Sequence, residues 1–376
     1  MPRNAGSAPS AASTASLARA PAIARAPDRT IDMGGNMVRI FVPQAIPEVA
    51  VERMKQLGEV SVYAGTDGPI PHAELVEAVR DKDILYAMGE IEYDRAVIAA
   101  AKPLKMVAAM HMKATFVDQK ACTERGVPVS GLPNFVAKTT AEFTFAMIMA
   151  AAWNLQDARR FLEDGRWTQN QSTAFLGTRL FGKTLGIVGM GTVGSHVARR
   201  AAACEMKIIY NKRSRLGPAE EFALGNAEYR SLEDLFAQSD FISINAGLTA
   251  ATRGLVGEEL ISLMKPSAIL VNTARGAILD EAALERALRE GRIRGAALDV
   301  FEVEVPEPGP GPRKGLYQLP NVVLTPHIGS AARETREEMA LRTVSNIERF
   351  LAGKRPFDVL NPEVYGEAAR NEEVIG

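Results

Sequence analysis

The sequence predicts an α/β protein of two doubly wound domains, each built on a parallel sheet. Three observations predict it. Short runs rich in β-branched residues alternate with helical stretches, the pattern of βαβ units whose sheets are covered on both faces. The alternation comes in two sets, separated by a long, mostly apolar stretch at 138–163, and the second set opens on a glycine-rich turn between an expected strand and an expected helix. A length of 376 residues suits two domains at roughly 150 residues each.

In the first set, residues 38–42, 60–63, 84–87 and 106–109 read as strands, and 47–57, 71–80 and 93–101 as helices. Pro47 suits a first helical turn, where its missing N–H costs nothing. Residues 138–163 read as one long helix. The second set has strands near 184–188, 207–210, 241–244, 268–272, 295–299 and 322–325. Between the last few, Asp280 reads as the N-cap of a helix entered through Glu281 and Leu284. A final long helix over about 330–352 precedes Asn361-Pro362.

Composition narrows the function. With 47% hydrophobic and 24% charged residues, the chain can build a sizeable core. A net charge of −1 argues against a nucleic-acid partner, which needs a basic face. Cys122 and Cys204 are too few for a zinc cluster or a disulfide framework, so no metal is expected and the compartment reads as reducing and cytoplasmic. The longest apolar run, from Phe143 to Trp153, is far short of the roughly 20 residues that span a bilayer. Residues 1–36 differ in kind: rich in alanine, with four arginines against Asp28 and Asp32. They read as a disordered extension whose Arg-rich, acid-poor composition also suits an organelle transit peptide.

The glycine-rich turn is Gly189-Met-Gly191-Thr192-Val193-Gly194. Strand before and helix after give it the setting of a Rossmann-type dinucleotide site. Gly189 permits the tight turn, Gly191 lets a pyrophosphate approach the backbone, and Gly194 lets helix and strand pack closely. The next strand ends in Asn211-Lys212-Arg213-Ser214-Arg215, where NAD-binding proteins usually place a carboxylate for the ribose 2′-hydroxyl. An amide, a hydroxyl and two or three cations suit a 2′-phosphate instead. NADP is therefore expected, with NAD as the alternative.

Three later strands end in reactive side chains: Asn272-Thr-Ala-Arg275-Gly276, Asp299-Val-Phe-Glu302-Val-Glu304 and Thr325-Pro-His327. Strand carboxyl ends line the ligand crevice of such a sheet. Arginine can grip a carboxylate with a fork of donors, and histidine can deliver a proton near neutral pH. His72 and His196 fall on helices and read as surface or packing residues. From about residue 38 to Val364 the sequence resembles the D-isomer-specific 2-hydroxyacid dehydrogenase family. The matches include Thr140-Ala-Glu142, Gly182-Lys-Thr-Leu-Gly, Thr273-Ala-Arg275-Gly276, Leu298-Asp299-Val300 and Pro326-His327-Ile-Gly.

By this resemblance Arg275 orients the substrate, His327 is the acid/base and Glu304 its partner, with Glu302 as the minor alternative. Proline often follows the family's glutamate directly; here Val305 stands there and Pro306 one later. The resemblance also places Ala246, Gly247, Thr252, Thr273, Ala274, Asp299 and Gly329 at the cofactor, beside the fingerprint residues and Asn211 to Ser214. It implies a discontinuous substrate domain, residues 37–133 and 329–376, around a nucleotide domain at 134–328. A homodimer through the nucleotide domain is implied too. The Gly309-Pro-Gly-Pro segment reads as a loop insertion.

One departure bears on substrate choice. After the strand at 106–109 the family normally has a glycine-bearing loop whose backbone binds the substrate carboxylate. This chain has Met110-His111-Met112-Lys113-Ala114-Thr115, so His111, Met112 and Lys113 are candidate substrate contacts. The leading reading is an NADP-dependent reductase of small 2-keto acids, of the glyoxylate/hydroxypyruvate type. The alternatives are a small-anion dehydrogenase, since the related phosphite dehydrogenase also has a lysine in this loop, and a nucleotide-sensing regulator of the corepressor kind.

Overall fold

The computed structural model describes residues 37–65, 68–89, 91–170, 172–304 and 313–366. The extension at 1–36, Val305, Pro306 and the insertion at 309–312 lie outside the described residues. The strands form two sheets. The first has order β2-β1-β3-β4-β5, from β1 (Val38–Val42), β2 (Gly58–Val62), β3 (Ile84–Ala87), β4 (Met106–Ala109) and β5 (Val129–Ser130). Seven strands make the second: β6 (Thr184–Val188), β7 (Lys207–Asn211), β8 (Glu228–Tyr229), β9 (Phe241–Ile244), β10 (Ile269–Asn272), β11 (Gly295–Leu298) and β12 (Val322–Leu324). Their order is β12-β11-β10-β9-β6-β7-β8.

Every described strand pair is parallel. β3, β4, β9, β10 and β11 are buried at every position, as strands covered on both faces must be. In the second sheet Ile187 of β6 faces Tyr210 of β7 on one side and Ser243 of β9 on the other. The chain runs outward in opposite directions from β6, so a crevice opens at its carboxyl end.

One face of this sheet packs Ile244, Leu270 and Leu298 against Leu284 and Leu288 of the helix Glu281–Arg289. The other packs Ile187, Phe241 and Val271 against Met147 and Ile148 of the helix Ala137–Ala152, and against Val197 and Ala198 of the helix Thr192–Ala203. Burying each such aliphatic chain is worth roughly 1.5–3 kcal/mol. The helix Arg333–Leu351 returns to the first sheet, where Val344, Ile347 and Phe350 join the core of Ile40, Tyr86 and Met106. Asn361, 3% exposed, then ties the chain to β5, accepting from the Val129 N–H at 2.7 Å and donating to the Val127 carbonyl at 2.9 Å.

Asp280 is the expected N-cap, its carboxylate accepting from the Ala283 N–H at 2.9 Å. The single helix expected at 138–163 is instead two, Ala137–Ala152 and Leu155–Glu163. Between them Asn154 sits at φ 51°, a left-handed conformation that asparagine tolerates better than most residues. No residue of the second helix is buried, so no core contact holds it in line with the first. β5 and β8 were not expected, because two residues carry no readable alternation. Among the described residues no helix is long and apolar enough to cross a membrane.

Candidate active site

The fingerprint turn follows β6. Gly189 has φ 95°, and a Cβ there would lie 2.6 Å from the Ala246 nitrogen. At Gly194 a Cβ would lie 2.4 Å from the Gly189 carbonyl oxygen. Gly191 is the opposite case: a Cβ would meet nothing within 4 Å, so its face is open to an approaching group. No side chain caps the helix Thr192–Ala203, and its first N–H groups, from Thr192, Val193 and Gly194, have no intrahelical acceptor. Across the crevice β9 leads into Asn245, whose buried Oδ1 has no partner among the described residues, then into Ala246 and Gly247. Thr252 secures that loop by donating to the Gly247 carbonyl at 2.7 Å. Two crowded glycines, one open glycine, free helix N–H groups and an orphaned amide oxygen fit a dinucleotide.

At the end of β7 the basic turn divides. The Asn211 amide donates to the Arg230 carbonyl at 2.8 Å and is occupied within the protein. Arg215 forms a two-pronged pair with Glu221, at 2.9 and 3.0 Å, and Glu221 also accepts from the Tyr210 hydroxyl. That removes Arg215 from the expected cations. Lys212 is half-buried and Arg213 and Ser214 are exposed. Among the described residues neither Lys212 nor Arg213 forms an ion pair, which leaves two cations and a hydroxyl for a phosphate.

The reactive residues stand at the ends of β10, β11 and β12. Asn272, fully buried, accepts from the Ala274 N–H at 3.0 Å and donates to the Arg275 carbonyl at 3.1 Å, which shapes the turn that exposes Arg275. Thr273 meets Thr144 of the helix Ala137–Ala152, hydroxyl to hydroxyl, at 2.6 Å. After β11 the Asp299 carboxylate, 1% exposed, accepts from the Thr325 hydroxyl at 2.7 Å and from the Ile328 and Gly329 N–H groups at 2.8 Å each. Three bonds to this side chain, expected at the cofactor, come from the turn after β12. His327 lies in that turn at φ 52°, its N–H donating to the Asp299 carbonyl at 2.9 Å.

The His327 Nδ1–H donates to Glu304 Oε2 at 2.7 Å, and Glu304 Oε1 accepts from the Phe301 N–H at 2.9 Å. Glu304, not Glu302, therefore meets the imidazole. The hydrogen bond and charge of Glu304 raise His327 above its ordinary value, outweighing burial and the repulsion of Arg275. Burial pushes the Glu304 carboxyl up, but the His327 and Phe301 hydrogen bonds and the charges of His327 and Arg275 prevail and hold it below its ordinary value.

The loop after β4 departs from expectation. His111 Nδ1 accepts from the N–H groups of Lys113 and Ala114, both at 3.2 Å, so these amides turn toward the imidazole. Ala114 takes φ 46°, and Gln119 donates to the carbonyls of Lys113 and Ala114 at 2.8 and 3.2 Å. The His111 ring meets Phe116 edge-on, with centroids 5.4 Å apart. Met112 is half-buried, and Gly131 fits against it only by lacking a Cβ, which would lie 2.9 Å from the Met112 carbonyl oxygen. The Lys113 side chain is exposed. Sequence reasoning gave no role to Asn272, Thr144 or Thr325. A fully buried polar residue ending an apolar strand, as Asn272 does, was the available signal.

Residues 145–329 match the family described as D-isomer specific 2-hydroxyacid dehydrogenase, NAD binding domain. A glyoxylate reductase of Aeropyrum pernix is 42% identical over 330 residues, 87% of this chain and 96% of its own. The chain belongs to the D-isomer specific 2-hydroxyacid dehydrogenase family. Among solved structures, a Thermus thermophilus protein superposes with a TM-score of 0.78 at 38% identity, over 86% of this chain and all of its own. The NADPH-dependent glyoxylate/hydroxypyruvate reductase of Sinorhizobium meliloti, in complex with NADP and malonate, gives 0.69 at 27% identity, over 89% of this chain and 99% of its own. This dehydrogenase is thus an enzyme with a nicotinamide-cofactor domain.

The raised value of His327 has a direct check. By NMR, the imidazole of the dehydrogenase should titrate above about 6.5, remaining charged at pH values where a free histidine is neutral. Glu304→Gln deletes the supporting charge and should move the midpoint downward. An unmoved midpoint would show that Glu304 does not set the charge of His327.

Proposed function

We propose that this dehydrogenase transfers a hydride between NADP(H) and a small 2-keto or 2-hydroxy acid, acting as a glyoxylate/hydroxypyruvate reductase. The observation that carries the reading is the His327–Glu304 hydrogen bond, formed at strand ends neighbouring the one that leads into Arg275. The glyoxylate reductase from Aeropyrum pernix supports the substrate class, and the Sinorhizobium meliloti complex supports the cofactor.

The hydride would come from a nicotinamide held in the fingerprint crevice. Arg275 pairs with the substrate carboxylate and orients the carbonyl. Nδ1 of His327 is committed to Glu304, so Nε2 is the nitrogen that gives its proton to the carbonyl oxygen as the carbon is reduced. Glu304 stabilises the imidazolium beforehand and keeps the ring in place. In the oxidative direction the neutral imidazole takes the same proton back. Gly189, Gly191, Thr192, Val193 and Gly194 would hold the pyrophosphate, with Ala246, Gly247, Thr252, Thr273, Ala274 and Gly329 lining the rest of the cofactor. Lys212, Arg213 and Ser214 would hold a 2′-phosphate.

The same reading divides the chain into a substrate domain, 37–133 with 329–376, and a nucleotide domain, 134–328. The return of the helix Arg333–Leu351 to the first core supports this division. A homodimer is supported by the exposed apolar side chains of Trp153, Leu155, Leu162, Trp167, Leu176 and Phe181. Free cysteines, Cys122 and Cys204, fit a cytoplasmic setting. Lys113, exposed on the loop after β4, favours a second anionic or strongly polar group on the substrate and keeps phosphite oxidation as the rival reaction.

Assays with both cofactors test the reading. Glyoxylate and hydroxypyruvate should oxidise NADPH efficiently, and turnover of phosphite with NADP⁺ but of no keto acid would overturn it. Arg213→Ala should raise the KM for NADPH by about tenfold or more, the loss expected of a charge-assisted contact, while leaving NADH use nearly unchanged. Equal loss with both cofactors would remove the 2′-phosphate assignment. Lys113→Met deletes the ammonium and keeps the stem. It should lower kcat/KM for a doubly anionic keto acid relative to glyoxylate by roughly tenfold, and an unchanged ratio would leave Lys113 facing solvent.

A further inference from the structure

Glu281 is a carboxylate that the proposed chemistry does not use, yet it is 2% exposed. It opens the helix Glu281–Arg289 directly after the Asp280 cap. Its Oε1 accepts from the Glu302 N–H at 2.5 Å, and Glu302 Oε1 accepts from the Glu281 N–H at 3.3 Å. One buried side chain thus fixes the backbone of Glu302, two residues before Glu304.

Neighbouring contacts leave little freedom upstream. A Cβ at Gly276 would lie 1.8 Å from the Phe301 carbonyl carbon, so the backbone just after Arg275 rests on the Phe301–Glu302 peptide. Phe301 is buried in the core with Ile278 and Ala283, and its N–H reaches forward to Glu304 at 2.9 Å. Downstream, the Arg313 guanidinium pairs with Glu285 at 2.9 Å. The charged groups facing Glu281 are Glu302 and Arg313, and those facing His327 are Glu304, Arg275 and Asp299. Burial raises the Glu281 carboxyl, yet an acceptor there satisfies the Glu302 N–H, which would otherwise lose its partner.

We infer that Glu281 is a positioning residue: its carboxylate holds the Glu302 backbone in the segment from Phe301 to Glu304 and thereby keeps Glu304 against His327. The inference rests on the His327 reading above. The residue touches neither substrate nor cofactor, so its effect must pass through the protonation of His327. Loosening the segment lengthens the Glu304–His327 bond and lowers the pH at which His327 loses its proton. Keto-acid reduction needs that proton, so the alkaline limb of kcat/KM must move to lower pH.

The test is the pH profile of NADPH-dependent glyoxylate reduction for wild type, Glu281→Gln and Glu281→Leu, with NADPH binding measured alongside. Glu281→Leu should shift the alkaline limb toward about 6.5 and cut kcat about tenfold, with NADPH affinity within roughly twofold of wild type. Glu281→Gln keeps one acceptor and should move the limb the same way by less. Should the leucine variant not bind NADPH, the glutamine variant decides. A limb at the wild-type position in a variant that binds NADPH overturns the inference. Wild type without any alkaline limb would overturn the His327 reading itself, and the inference with it.

Discussion

The Asp299 carboxylate is the constraint on which the candidate active site depends. Its two oxygens, almost wholly removed from water, accept from one hydroxyl and two backbone N–H groups of the segment after β12. A buried carboxylate is tolerable only when so satisfied. Its backbone carbonyl takes the His327 N–H as well. The turn so formed holds a histidine at positive φ, a conformation that a free chain seldom visits. Stability and chemistry meet here, because the bonds that satisfy Asp299 also aim His327 at Glu304.

Strand termini explain why three distant segments converge. β10, β11 and β12 are neighbours in one parallel sheet, so their carboxyl ends deliver Arg275, Glu304 and His327 to the same edge. Each side chain is then trimmed by a local device: Asn272 for Arg275, the Phe301 N–H for Glu304 and Asp299 for His327. The resulting pair is half exposed at the imidazole, open to a substrate. The loop after β4 adds a different constraint. His111 draws in two backbone amides of that loop, those of Lys113 and Ala114.

Much of this was legible in the sequence because it is written in strand ends and glycines. Gly189, Gly191 and Gly194 announce a tight turn, and Arg275 and His327 each follow an apolar run, while the choice of Glu304 over Glu302 came from the family resemblance. What the sequence hid were competitions between local partners. Nothing in Asn211 to Arg215 says that Glu221, six residues beyond Arg215, captures that arginine and that Arg230 captures the Asn211 amide. The break at Asn154 was hidden for a similar reason. Leu155 and Leu162 keep a helical spacing, and only the absence of a core beneath them lets the chain turn. The place of Asp299 at a strand end likewise gives no sign that its carboxylate accepts three bonds from the next turn.

The measurement that tests the central claim most directly compares turnover with cofactor binding in His327→Ala. If His327 donates the proton in keto-acid reduction, kcat with glyoxylate and NADPH should fall by on the order of 10²–10⁴, while the Kd for NADPH stays within a few-fold. A variant that keeps most of the wild-type kcat would contradict the account.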